Sequence, residues 1–458
     1  MRKSIFVALS AALFASSVAL LAPVTSAGAV EPMPVHGTVV PEQPKRLWPR
    51  ITTGAVNGGD QVGDYIVYGG EFTSVTLPDG SVVARSNVVA FNINTGELLS
   101  TFAPTLDGTV SVVEAGDTPG TVFLGGKFKK VNGVSRARLA KLDLATGQLI
   151  TGFKANASAE VKTIARSGDR LFIGGQFGAV NGITRSRLAE VSSTTGAVNT
   201  NFDVPVTGSR ASGCRVDGWC GSLSGPIVRA VRVTPDGGTL MVIHRGDLVG
   251  GLTRWGAAKI DISSTVPVVS GWRTNLWDLA QNNGRKDFVG IVEGDMSPDG
   301  SMIVFTNIVG NFPPLHDTVV ALPVAGSDLV SPLWVTQNFD SNYGLAVSDA
   351  AVYVGGHFCW TESPLSSTPG LYWPGALGNQ YSCTSISGSV FQPMTIARYH
   401  LAALDPSNGT ALPWNPGSNN SSNGVNFLRT IPRGLLLGHD GTRVDQINVG
   451  RSAFFDLQ

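Results

Sequence analysis

Four carboxylates, Asp287, Glu293, Asp295 and Asp317, fall close together in the chain. Paired carboxylates held across a cleft can run glycoside hydrolysis or general acid–base chemistry, one giving a proton while the other takes one or attacks. The competing reading is that they are turn and edge carboxylates, and sequence spacing does not supply the separation that would decide. With Arg229 and His316, two of them form a candidate catalytic set, Asp287, Arg229, His316 and Asp317, for a lyase, hydrolase or cyclase. The motifs that would make such chemistry specific are missing. No Gly-x-Ser-x-Gly elbow occurs, and Gly221-Ser222-Leu223-Ser224-Gly225 holds its serines off register. Zincin, EF-hand and phosphate-loop patterns are absent as well. The histidines at 36, 244, 316, 357, 400 and 439 are scattered, so neither a metal site nor a cofactor is expected. Arg245-Gly246-Asp247 matches the tripeptide that integrins read, but its place at a strand end favours a chance match.

Binding chemistry is better represented. Trp219, Trp277, Trp360, Tyr372, Trp373 and Tyr381 sit in or beside irregular stretches, where aromatic rings can stack on sugars or anchor a peptide or protein. The alternative is that they pack the cores of long loops. The four cysteines form two local groups, Cys214 with Cys220 and Cys359 with Cys383. Three connectivities are possible, and two local disulfides are expected. Lys+Arg and Asp+Glu balance at 33 each without a basic run, which argues against nucleic acid as a partner.

The elements that must position these residues are repeats. YIVYGGEF at 65–72, VFLGGKF at 122–128, LFIGGQF at 171–177 and VYVGGHF at 352–358 each end an apolar run in Gly-Gly-x-Phe. Glycines there suit a bulge or a close backbone approach before an aromatic plug. Weaker copies at 240–243, 302–305 and 434–437 bring the number to seven. Spacing between copies ranges from about fifty to about eighty residues, which suits a propeller with variable loops better than a solenoid. Turn chemistry such as Ser167-Gly168-Asp169 and Thr195-Gly196 divides the third unit into strands at 161–165, 171–177, 188–193 and from about 201.

Gly-Gly-x-Phe followed by Val-Asn-Gly, Arg, Leu-Ala, Leu-Asp and Thr-Gly resembles the delta-60 repeat family of bacterial β-propeller proteins. The resemblance is close in units two and three, good in one and six, and degenerate in four, five and seven. It implies an extracellular or envelope propeller and no activity.

The expected fold is therefore all-β, a seven-bladed β-propeller of four-stranded antiparallel blades near 50–103, 108–153, 160–204, 227–275, 287–339, 343–414 and 425–457. A segment near 37–48 is expected to close the ring. Arg2 and Lys3, an apolar run at 5–22 and Ser26-Ala27-Gly28-Ala29 read as a signal peptide, 1–29, ahead of a single domain at 30–458 with no stable membrane span. In strand order, the long insertions emerge on one face, braced by the disulfides. Lys162, Arg229, Asp287 and Asn426 should line the channel mouth there. The basic series Arg85, Arg136, Arg185, Arg254, His316, Arg398 and Arg451 is expected to tie each blade to the next. The leading functional reading is a secreted or envelope-associated binding module for a glycan, peptide or protein, with an extracellular enzyme at the channel mouth as the rival.

Overall fold

The structure is a computed structural model and describes residues 33–208, 210–211, 223–276, 290–308, 317–338, 340–363, 370–372, 390–392, 395–419 and 424–458. Among them there is no helix, and every paired strand is antiparallel. β-branched runs broken by Gly and Asn turns leave no stretch with helical periodicity.

Seven sheets share one plan of strands a, b and c. Strands a are Ala55–Val62, Val110–Ala115, Val161–Ser167, Val228–Val233, Ile291–Met296, Asn342–Val347 and Val425–Ile431. Each pairs with a strand b that ends at or beside the Gly-Gly position, and b pairs with c. Each strand a also neighbours the strand a of the next unit, and the last neighbours the first. The seven therefore form a closed cycle around a central channel.

The glycine pair is explained by this closure. A Cβ on the first glycine would meet the next unit's inner valine: at Gly174 it would lie 2.4 Å from Val228 Cγ1, and at Gly355 2.4 Å from Val425 Cγ1. A Cβ on the second would meet a backbone oxygen of its own unit, at Gly175 2.1 Å from Glu160 O and at Gly356 2.1 Å from Ser341 O. Gly438, in the last unit, lies against Val56 of the first. Unit four breaks the rule with Ile243, and unit five answers with Gly294, whose Cβ would lie 2.7 Å from Ile243 Cγ1. Bulk and space have changed sides of the same contact.

The outer strand is shorter than four-stranded units would give. Units four and five have paired fourth strands, Val268–Val269 and Trp334–Gln337, whereas units one, two, three and six have single bridges such as Val191 to Val198. In unit three that pairing comes before residue 201, because the Thr195-Gly196 turn folds the chain back at once. A second tier of structure was not anticipated. The Val-Asn-Gly segments and their counterparts in other units form b-to-c hairpins that meet the preceding connection, as where Ala157 bridges Val180 and Val206–Thr207 lies on Leu248–Val249.

The repeated arginines bind backbone carbonyls, but inside their own unit. Arg185 donates to Thr184 O, Asn199 O and Thr200 O, and Arg85 to Ala84 O and Ser100 O. The bond across units belongs to the residue two positions later, where Arg138 donates to Ala157 O and Arg187 to Pro226 O. That residue adopts a positive φ of 69° in both units, which turns its side chain toward the neighbour. His316 lies outside the described residues. Phe72, Phe128, Phe177 and Phe358 are buried core plugs.

Chain ends meet at the last sheet. Lys45 N–H donates to Phe454 O at 2.7 Å and Arg451 N–H to Ile51 O at 2.6 Å, while Trp48 packs on Phe454 with ring centroids 5.3 Å apart.

Gly174→Ala should destabilise the fold by about 1–3 kcal/mol, and the Gly174→Ala, Val228→Ala double variant should be more stable than the two single losses add up to. Gly175→Ala faces a backbone oxygen and should cost more, with no rescue from Val228→Ala. Denaturant unfolding checks both, and equal costs at the two glycines would count against the contact scheme.

Candidate functional site

Every inner strand carries a register shift after its first or second residue, as between Val161 and Thr163 and between Val56 and Gly58. The bulged residues are Asn57, Ser111, Lys162, Arg229, Val292, Tyr343 and Asn426. A bulge leaves one residue out of the ladder and re-aims its side chain, here at the end of the channel nearest the d-to-a and b-to-c connections. Lys162, Arg229 and Asn426 are thus placed in equivalent positions of their units. The fourth expected group, Asp287, lies outside the described residues, and the position in its unit is held by Val292.

The channel encloses about 190 Å³. Toward the a-to-b turns it is lined by charges that satisfy one another. Arg429 reaches Asp60 at 3.1 Å and Glu114 at 2.8 Å, and Arg232 reaches Asp295 at 2.6 Å. Asp60 also accepts the N–H of Ala115 in the next unit, and Asp295 that of Val347. Carboxylates thereby cap the inner strand edges, which have no further strand to pair with. Met33 and Pro34 line this part of the channel as well, and His36 beside them bonds Ile431 O at 2.8 Å.

The mouth differs. Lys162 pairs with Glu160 at 3.1 Å, and Glu160 also accepts from Ser111. Arg229 Nε–H donates to Val292 O at 2.9 Å, and Arg245 Nε–H to Ile291 O at 2.7 Å. Burial pulls the Lys162 ammonium below its ordinary range, partly offset by Glu160. Burial, with the Arg229 charge adding to it, brings Arg245 down to about 9. Glu293 keeps some accessible surface, but that surface opens into the channel, and burial raises its carboxyl above the usual value despite Arg232 and Arg229 nearby. Glu293 and Asp295 are inner-strand residues, not turn or edge carboxylates. Arg245 is held by Ile291, which takes the integrin-like tripeptide out of contention as an exposed ligand.

Asp317 is buried at the start of strand c of unit five. Among the expected aromatics, Trp360 is half-buried in a strand, Trp360–Glu362, that pairs with Thr395–Ala397, and its indole nitrogen has no hydrogen-bond partner among the described residues. Tyr372 lies in a second short strand of the same insertion, Gly370–Tyr372. Trp219, Trp277, Trp373, Tyr381, Cys214, Cys220 and Cys383 fall outside the described residues, while Cys359 is disulfide-bonded.

Sequence reasoning missed Arg245, read only as part of a tripeptide, and did not place Glu293 in the channel. It also missed the closest approach to a nucleophile–base pair, Ser418 Oγ to His439 Nδ1 at 2.7 Å. Gly450 O can only accept, so His439 donates from Nε2 and accepts the Ser418 hydroxyl's hydrogen bond at Nδ1. His439 is fully buried, and burial lowers it to about 4, so the pair is a closed structural contact.

No family model matches the chain, and no curated protein matches it. A solved structure titled "Crystal Structure of Mitotic Checkpoint Complex" is similar at 10% identity with a TM-score of 0.45, over 94% of this chain and 100% of that one.

Glu293→Gln keeps the oxygen that accepts from Gly294 N–H and removes the charge that burial disfavours. Thermal melting should find this variant more stable at neutral pH and equal to wild type in acid, where the wild-type carboxyl is protonated too; a lower melting temperature at pH 7 would show that the charge is needed. His400 and His439 are both lowered from 6.5 to about 4 by burial. The unfolded chain binds these protons at higher pH than the folded one, so stability should fall as pH drops from about 6.5 to about 4. A flat melting profile over that window would contradict two buried neutral imidazoles.

Proposed function

We propose that the chain is an exported seven-bladed β-propeller of the delta-60 repeat type, cleaved after Ala29 and closed by its 37–48 segment. It acts as a binding module for an extracellular glycan, peptide or protein. One observation carries the choice of binding over catalysis. Among the described residues, Lys162, Arg232 and Arg429 are held on carboxylates and Arg229 and Arg245 on backbone carbonyls, and no nucleophile–base pair opens onto the channel. Acyl or glycosyl transfer needs such a pair within reach of a bound substrate.

The contact surface is assigned to the face with the long connections, where the second-tier hairpins form a platform. Its 359–395 insertion begins as an ordered ladder at Trp360–Glu362 and carries Tyr372, Trp373 and Tyr381 beyond it. Local disulfides, Cys214 with Cys220 and Cys359 with Cys383, would brace two such insertions, and Trp219 and Trp277 would extend the aromatic surface. The rival reading, an enzyme at the channel mouth, draws on Glu293, a carboxyl kept toward its neutral form beside Arg229.

The test replaces 364–392 with a short Gly/Ser turn and changes Cys359 to Ser, which leaves the pairing of 360–362 with 395–397 intact. Binding to envelope material from the source culture should be lost, with circular dichroism and melting close to wild type. Retained binding in a folded variant would move the surface elsewhere.

A further inference from the structure

Two arginines of unit four are fastened side by side. Arg229 is the bulged residue of strand a, and Arg245 directly follows strand b, so they flank the paired residues Val228 and His244. Both guanidinium groups use Nε, on the successive carbonyls of Val292 and Ile291 in unit five. Neither makes another hydrogen bond or ion pair among the described residues, which leaves both Nη ends unspent, and Arg229 lines the channel. Lys162, the bulged residue of unit three, adds a third cation from the neighbouring sheet, and Glu160 is already engaged by Lys162 and Ser111.

We propose that Arg229, Arg245 and Lys162 form an oxyanion site at the channel mouth, taking a carboxylate or phosphate group of the ligand. This rests on the binding-module reading and names the chemistry its ligand must carry. Like charges this close oppose one another unless a counter-charge is present. Lys162 and Arg245 are lowered partly by the Arg229 charge, and Lys162 also by Lys127. Glu293 and Glu160 are the counter-charges that the described residues offer Arg229; Glu160 is shared with Lys162 and Ser111, and burial raises the Glu293 carboxyl. Two preset guanidinium forks suit a planar or tetrahedral oxyanion, since each can give parallel N–H bonds. Equivalent positions in other units, Asn57, Ser111 and Val292 among them, carry no cation. The arrangement is confined to one side of the mouth, so a ligand would be bound off-axis and in one orientation.

Titration calorimetry with inorganic phosphate and with sodium acetate, against sodium chloride at matched ionic strength, tests the site in the mature chain. Saturable binding of either anion is expected, and whichever saturates first assigns the group as phosphate-like or carboxylate-like. Arg245→Gln should weaken it at least tenfold. Lys162→Gln, which removes no backbone bond and should fold normally, should weaken it several-fold. Absence of binding above chloride, or undiminished binding in Lys162→Gln, overturns the proposal. The 364–392 replacement should keep anion binding, because none of the three cations lies in it. Partner binding and anion binding can therefore fail separately.

Discussion

The structure depends on one contact that recurs at most junctions of a ring: the inner strand of one unit presses on the place where the preceding unit lacks a Cβ, as at Gly69, Gly125, Gly174, Gly355 and Gly438. Sheets that must neighbour one another around a closed circle converge at the axis, and their first two strands have the least room there. Glycine at that position supplies the space, and the following glycine lets strand b cross its own strand a without striking a carbonyl oxygen. Phenylalanine then fills the volume that opens further out. Gly-Gly-x-Phe thus records, position by position along strand b, where a side chain has no room and where one is buried. Because the ring is closed, the first glycine's contact recurs between Gly438 of the last unit and Val56 of the first.

Closure leaves each strand a with an edge facing the channel, and side chains satisfy it. Asp60 and Asp295 hold the same place in units one and five, and each accepts an N–H from the unit that follows. Thr163 does the same for Val231. These contacts link neighbouring units, so the charges lining this part of the channel belong to the architecture. The bulges free one residue per unit from that duty. A bulged side chain can change without disturbing the ladder, which explains why this position runs through Asn, Ser, Lys, Arg, Val, Tyr and Asn.

Much of this was legible in the sequence, because steric demands recur in every unit and leave a repeating mark. The Gly-Gly-x-Phe strands, their turns and their weaker copies all fall where strand b and its neighbours run. The outer strand was overdrawn, since a tight turn allows a single bridge as easily as a ladder and both need the same residues. The second-tier hairpins hid inside Val-Asn-Gly, which reads as a turn until its partner from the preceding connection is known. The Ile243 and Gly294 exchange was invisible because its two halves lie in different units, each looking degenerate alone. Arg229 and Lys162 could be placed near the mouth from strand order, but Arg245 could not be grouped with them without the pairing of Val228 with His244. The aromatic and cysteine candidates belong mainly to unrepeated insertions, where no internal copy exists to compare with.

Arginine appears in this fold in two opposite attitudes, and the contrast separates architecture from site. In the repeated series, Arg185 and Arg398 turn their Nη groups onto backbone carbonyls of their own unit and bury Nε without a partner. The fork, which is the part of the side chain able to recognise a carboxylate or phosphate, is consumed by the backbone. Arg229 and Arg245 do the reverse, spending Nε on a carbonyl and leaving the fork without a hydrogen bond among the described residues. An arginine needed only to join sheets gains more from two or three carbonyls than from one. One that is clamped at Nε has lost rotational freedom before a ligand arrives, so less entropy remains to be lost on binding. The orientation of the guanidinium, more than its charge or position, distinguishes the cations that hold the ring together from those that are poised to bind.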